Sequence, residues 1–326
     1  MVLRAIVSAL VILVSLTGCS GKKGQEGRLT IAVIPMGTTH EYWKAIHAGA
    51  LTSASELGNV DIIWKGPLKE DDRDEQIQIV EAFIAAEVNA LMIAPLDDRA
   101  LVRPVLDAKN SGIPTVLVDS GLMEDVGATI IATDNYRGGV IGAERIGTLM
   151  GGKGKLILIR VMEGAASSTK REEGFLTTIK EKFPGIEILS DNQYGGITSE
   201  SAYQTSENLL NRFGDEVEAI FTPNESTTFG CLRALQDRGL AGKVIFVGFD
   251  SSAKLIEALE KRELLGLILQ NPFAMGYLGV KTAVAILNGE ICEKVIDTGV
   301  TLVTPDNMHD PGIEKLLSPD LSILDR

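Results

Sequence analysis

Histidine, cysteine, aromatic side chains and positive charge are all scarce in this chain. Three histidines and three cysteines occur in 326 residues, aromatics make up 5%, and acids outnumber bases 44 to 31. The resulting formal charge of −13 excludes a nucleic-acid groove, because phosphate binding needs a basic surface. His40, His47 and His309 form no zinc-type spacing with cysteines or acids, and no serine or cysteine sits in a nucleophile-elbow sequence. The first strand runs into PMGTTHEYW and not into GxGxxG, which argues against a dinucleotide cofactor. GTLMGGKG (Gly147 to Gly154) nearly fits a phosphate loop, but it has Gly154 in place of Ser or Thr and follows a helix, so it reads as a turn. These absences point away from an enzyme and call for no cofactor and no metal.

The N-terminus is the first positive signal. Ala5 to Leu16 is an uncharged apolar run of signal-peptide length, too short to span a bilayer. LTGCS follows it and resembles a bacterial lipobox, which implies a signal peptide at 1–18 and lipidation of Cys19. Residues 19–28 then read as a polar, glycine-rich tether. Cys231 and Cys292 sit in no CxxC or metal spacing and read as buried free thiols in preference to a disulfide.

From residue 29 onward, ten short apolar runs alternate with amphipathic helical stretches. That pattern predicts an α/β fold with parallel sheets covered on both faces, and the series divides near TDNYRGG (Thr133 to Gly139) into two doubly wound lobes. Two segments echo each other: ALMIAPLDDRALVRPVLDAKNSGIPTVLVD and AIFTPNESTTFGCLRALQDRGLAGKVIFVGFD both read strand, Pro, helix, turn, strand, Asp. Each lobe therefore ends a strand on a carboxylate, Asp119 in one and Asp250 in the other. Open α/β sheets bind ligands at the carboxyl ends of their strands, so a matched pair reads as one cleft more readily than as two turn caps. Arg171, Asn224 and Gln270 add rigid or bifunctional hydrogen-bonding groups suited to hydroxyls. Tyr42 and Trp43, adjacent after a Gly-Thr-Thr-His turn, would offer apolar faces to a sugar ring, with Trp43 the stronger stacking candidate.

These segments, with EYWKAIHAGALTSASELG, KREEGF and ILQNPFAMGYLG, resemble the periplasmic sugar-binding proteins of bacterial ABC transporters, in the ribose-binding branch (type I). The similarity runs from Leu29 to Val303. It implies two lobes joined by a three-crossover hinge, the N-terminal one 29–134 plus 272–295 and the C-terminal one 135–271 plus 296–326. It also implies ligand contacts at His40, Tyr42, Trp43, Asp119, Arg171, Asn224, Asp250 and Gln270. Met36 and Ala94 replace polar residues that ribose-binding relatives carry, which favours a different monosaccharide or a polyol as much as ribose. The GPLKEDDR loop (Gly66 to Arg73) is a further source of polar contacts. The expected protein is a monomeric lipoprotein of the periplasm or cell surface that captures a small sugar or polyol and delivers it to permease and ATPase subunits. The same cleft would equally serve a sensor that presents its liganded form to a chemoreceptor or membrane kinase.

Overall fold

A computed structural model describes residues 27–325. The expected signal peptide at 1–18, Cys19 and most of the expected tether lie outside the described residues. The first part of the chain alternates β1 (Leu29–Ile34), α1 (Glu41–Leu57), β2 (Val60–Trp64), α2 (Arg73–Ala85), β3 (Ala90–Ile93), α3 (Val102–Asn110), β4 (Thr115–Val118) and β5 (Thr129–Ala132). The second part runs α4 (Asn135–Leu149), β6 (Lys153–Arg160), α5 (Ala166–Lys182), β7 (Gly185–Tyr194), α6 (Ser199–Phe213), β8 (Ala219–Phe221), α7 (Glu225–Asp237), β9 (Ile245–Phe249), α8 (Ala253–Glu260) and β10 (Gly266–Leu269). The chain then returns through α9 (Pro272–Leu287) and β11 (Val295–Asp297), crosses again into β12 (Thr301–Val303), and adds α10 (Pro311–Leu317).

Two six-stranded sheets result, with the same spatial order: β2-β1-β3-β4-β5-β11 in the first and β7-β6-β8-β9-β10-β12 in the second. The first is parallel throughout, whereas β12 pairs antiparallel with β10. Strands such as Ala90–Ile93 and Ala219–Phe221 are apolar at every position because helices cover both faces, leaving no polar side to alternate with. β11 pairs with β5 as far as Asp297, so the first sheet extends two residues past the boundary expected at 295. β11 and β12 are three residues each, too short to leave a periodic signal in the sequence.

Helix packing against the second sheet is close. A Cβ on Gly139 of α4 would lie 1.9 Å from the Arg171 carbonyl oxygen, and one on Gly174 of α5 would lie 2.1 Å from that of Tyr136. Only hydrogen at these two positions lets α4 and α5 approach backbone to backbone, and that contact sets the height of Arg171 over the sheet. Beneath it, Phe175 and Phe221 stack with centroids 4.1 Å apart. Cys231 is a free thiol buried in this lobe and pushed up to about 12 by burial. Cys292 is also free, but half-buried where full burial was expected, because it lies on the loop after α9.

Candidate functional site

The strand ends of both sheets converge on one cleft of about 540 Å3, measured to its open mouth. Its wall is built from the residues that follow β1, β3, β4, β6, β8, β9 and β10: Met36, Leu96, Asp119, Val161, Asn224, Asp250 and Gln270. His40, Tyr42 and Trp43, at the start of α1, and Arg171, on α5, close the remaining sides. All eight residues singled out from the sequence therefore line a single cavity. Ala94 does not; it is buried just past the end of β3, where its carbonyl accepts from the Gln76 side chain at 2.8 Å.

Asp119 and Asp250 are the first residues beyond β4 and β9, and both adopt φ = 63°. Side chains rarely take this left-handed conformation, and aspartate is among the few that tolerate it. The bend turns each carboxylate off its strand and into the cleft. Asp119 Oδ1 accepts the Tyr42 hydroxyl at 2.5 Å, while Asp250 Oδ1 accepts the Gln270 amide at 2.8 Å. Burial pushes the Asp119 carboxyl up to about 6, against the opposing pull of Arg171 and the Tyr42 hydroxyl. Asp250 is raised too, chiefly by burial.

Arg171 is not the solvated helical charge that its neighbours Glu172 and Glu173 would permit. Those acids pair elsewhere, Glu172 with Arg160 at 2.6 Å and Glu173 with Lys170 at 2.8 Å. The guanidinium is 3% exposed and stacks 4.0 Å above the Phe249 ring. It donates to Asn135 Oδ1 at 2.7 Å and to the Pro223 carbonyl at 2.9 Å, and stands 3.9 Å from Asp250. Held on four sides, it is a fixed donor and needs no reorganisation to meet a ligand. Asn224 lines the cleft but also caps α7: its Oδ1 accepts from Thr227 N at 3.0 Å and its amide donates to Ser226 at 3.0 Å.

The aromatic pair divides its work. Tyr42 and Trp43 meet edge to face with centroids 5.0 Å apart, and Trp43, 3% exposed, packs in the first lobe's core beside Met36, Ile46 and Leu96. Trp43 is therefore core as well as cleft wall. Its indole N–H donates to Glu70 Oε1 at 2.5 Å, and His40 Nδ1 lies 2.9 Å from the same oxygen. Burial pulls the His40 imidazole down, but the hydrogen bond and charge of Glu70, with Glu225 and Asp250 behind it, outweigh that and push it up to about 9.

Two cleft carboxylates, Glu70 and Glu225, escape a reading of the sequence at single-residue level. Glu70 comes from the GPLKEDDR loop already noted, where it is one acid among several. Glu225 begins α7, a position where an acid ordinarily complements the helix dipole. Here it is driven up to about 7 by burial, with His40 pulling the other way, and its Oε2 has no hydrogen-bond partner. Gln270 Oε1, equally buried, has none either. Among the described residues no group of acids, histidines or cysteines is arranged to hold a metal.

Twin α/β lobes with a polar cleft between their strand ends define a binding-protein architecture, and the family model described as "periplasmic binding protein domain" matches residues 31–291. The chain belongs to that family, which is one of binding proteins and not of enzymes. It is 28% identical over 303 residues to the ribose import binding protein of Haemophilus influenzae, covering 93% of this chain and 99% of that one. It is 24% identical to a xylitol-binding protein of Mycolicibacterium smegmatis, over 83% of this chain and 76% of that one. Among solved structures, a carbohydrate transporter solute binding protein from Agrobacterium radiobacter in complex with D-arabinose superposes with a TM-score of 0.86 at 33% identity, covering 90% of this chain and 100% of the other. A solute binding protein from Agrobacterium vitis with bound D-fucose gives 0.85 at 31%, covering 88% and 99%.

Proposed function

We propose that this protein is an extracytoplasmic solute-binding lipoprotein that captures a monosaccharide or polyol in the interlobe cleft and hands it to an ABC permease and its ATPase. Cys19 carries the lipid anchor in this reading, and the protein works as a monomer. The observation that carries the binding role is the pair of strand-end aspartates, both bent into one cleft at φ = 63°, with the braced Arg171 guanidinium beside one of them. Sugar hydroxyls donate and accept at once, so carboxylates, a guanidinium and an amide together satisfy them, while Tyr42 and Trp43 supply apolar surface for the C–H faces. Relatives whose names specify ribose or xylitol, and neighbours holding D-arabinose or D-fucose, support the same ligand class.

A thermal-shift and calorimetry panel of ribose, arabinose, fucose, xylitol and related aldoses, ketoses and polyols tests the reading. A ligand present at 100 times its Kd stabilises the folded state by about 2.7 kcal/mol and raises Tm accordingly. Mass spectrometry of the protein extracted from membranes checks the anchor: the N-terminal peptide should begin at an acylated Cys19. A panel without a single shift would remove the sugar role, and an intact Met1 or an unmodified Cys19 would remove the anchor.

A further inference from the structure

Resting on the reading of the cleft as a sugar or polyol site, we propose that its ligand carries a protonated amine, held by Glu225. The charges in the cleft do not balance. Glu70, Asp119, Glu225 and Asp250 face it, against His40 and Arg171 alone. Glu70 is matched by His40 at 2.9 Å, and Asp250 by Arg171 at 3.9 Å. Asp119 accepts the neutral Tyr42 hydroxyl and feels Arg171 only beyond contact distance, while Glu225 Oε2 has no hydrogen-bond partner. Glu225 is thus left with no ion-pair partner in contact and with one buried oxygen unsatisfied, and an unpaired buried charge is costly.

Unpartnered atoms in the same cleft specify what would complete the set. Glu225 Oε2 and Gln270 Oε1 are both buried acceptors without a donor, and Gln270 is 4% exposed. A hydroxyl brings one donor together with lone pairs that need donors of their own. An ammonium brings three donors, no acceptor and the missing charge. The position of Glu225 at the first turn of α7 explains an acid there, but leaves its buried, unpartnered oxygen without a structural purpose. The groups around it are His40, which favours its ionised form, and Glu41, Glu70 and Asp250, which oppose it. An added cation would oppose those acids and favour the ionised form of Glu225, so amine binding should change the number of bound protons.

Calorimetry on the purified protein compares D-glucosamine, D-galactosamine and D-mannosamine with their parent hexoses, and 1-amino-1-deoxysorbitol with sorbitol. At least one amine should bind ten-fold or more tightly than its parent, and its heat at pH 7 should vary with the ionisation enthalpy of the buffer. Glu225→Gln should shrink the amine-to-parent ratio to three-fold or less, and Glu225→Asp should keep more of it. If either variant fails to fold, the amine-to-parent affinity ratio of the wild-type protein still decides. Parents that bind as well as or better than their amines would overturn the amine proposal and leave the sugar cleft standing. A panel in which neither amines nor parents bind would overturn the cleft reading as well.

Discussion

Asp119 and Asp250 occupy equivalent places in the two lobes. Each ends the central strand of a like-ordered sheet at φ = 63°, and each is raised by burial, yet their partners differ in kind. Asp119 is held by a phenol, itself backed edge to face by Trp43, whereas Asp250 is held by an amide with a guanidinium 3.9 Å away. The fold therefore duplicates the position while the sequence supplies a different chemistry on each side: an aromatic pair with a His40–Glu70 pair from the first lobe, a guanidinium and an amide from the second. In the proposed reading, a sugar bound between them would meet aromatic surface mainly on one side and the guanidinium and amide on the other.

The largest effect should come from breaking the first side. Trp43 supports Tyr42 and also fills the first lobe's core, so Trp43→Ala should cost about 3–5 kcal/mol of folding stability in a denaturant titration, besides weakening binding. Trp43→Phe keeps one aromatic ring in the core but loses the rest of the indole and its bond to Glu70, and should recover part of the stability. A Trp43→Ala variant of wild-type stability would show that the first lobe does not rely on the ring as core.

Next in size is the contrast between the aspartates themselves. Asp250→Ala strips the counter-charge from a guanidinium that is almost wholly buried and frees the Gln270 amide, so ligand affinity should fall about 100-fold or more, near 3 kcal/mol. Asp119→Ala removes a carboxylate whose hydrogen-bond partner is a neutral phenol and which Arg171 reaches only at longer range, and should cost about ten-fold. Calorimetry with the ligand found in the panel measures both. Equal losses would mean that the chemical difference between the lobes carries no weight in binding.

Much of this arrangement was legible in the sequence because it repeats. The strand-Asp echo, the apolar strands and the helical spacing fix sheets, lobes and the two aspartates from local pattern alone. Arg171 was legible only as a member of a set, since its immediate neighbours Glu172 and Glu173 offer a surface pairing that the fold redirects to Arg160 and Lys170. Glu225 was hidden by its helix-start position, Glu70 by the other acids of its loop, and the buried half of Trp43's role by contacts to residues such as Leu96 that are distant in sequence. Periodicity reports which face of an element is covered. It does not report which buried polar atom finds no partner.

A smaller effect follows from pH, and its sign is the same on both sides. Asp119 and Glu225 have folded pKa values near 6 and 7, above their ordinary 3.8 and 4.5, so the folded state keeps protons that the unfolded chain has lost. Their contribution to stability declines as pH rises from about 4 to 7. His40, raised from 6.5 to about 9, contributes stability that is complete below 6.5 and is lost as pH climbs through 9. These three groups should therefore lower apo Tm from pH 5 to 9, with His47, lowered by burial, working the other way near pH 6. Glu225→Gln should flatten the acid part of that slope and His40→Gln the alkaline part, each by roughly 1–2 kcal/mol. A wild-type profile that rises between pH 5 and 7 would contradict the burial of both carboxyls.

The finest test separates backbone from side chain. Ala and Gly each remove the whole carboxylate, so the stability difference between Asp119→Gly and Asp119→Ala isolates the cost of holding a Cβ at φ = 63°. That cost should be about 1 kcal/mol in favour of glycine, and Asp250→Gly against Asp250→Ala should give the same value within about 0.5 kcal/mol. Glu87 and Arg262, exposed residues at φ = 52° and 58°, serve as references away from the cleft, where glycine should gain a similar amount. If the two aspartate positions agree with each other and with the references, the left-handed bend is an ordinary local cost that the fold meets twice in order to aim two carboxylates. If one strand end shows a much larger gap, that lobe holds its aspartate under additional constraint, and the equivalence drawn from backbone angle alone would not extend to energy.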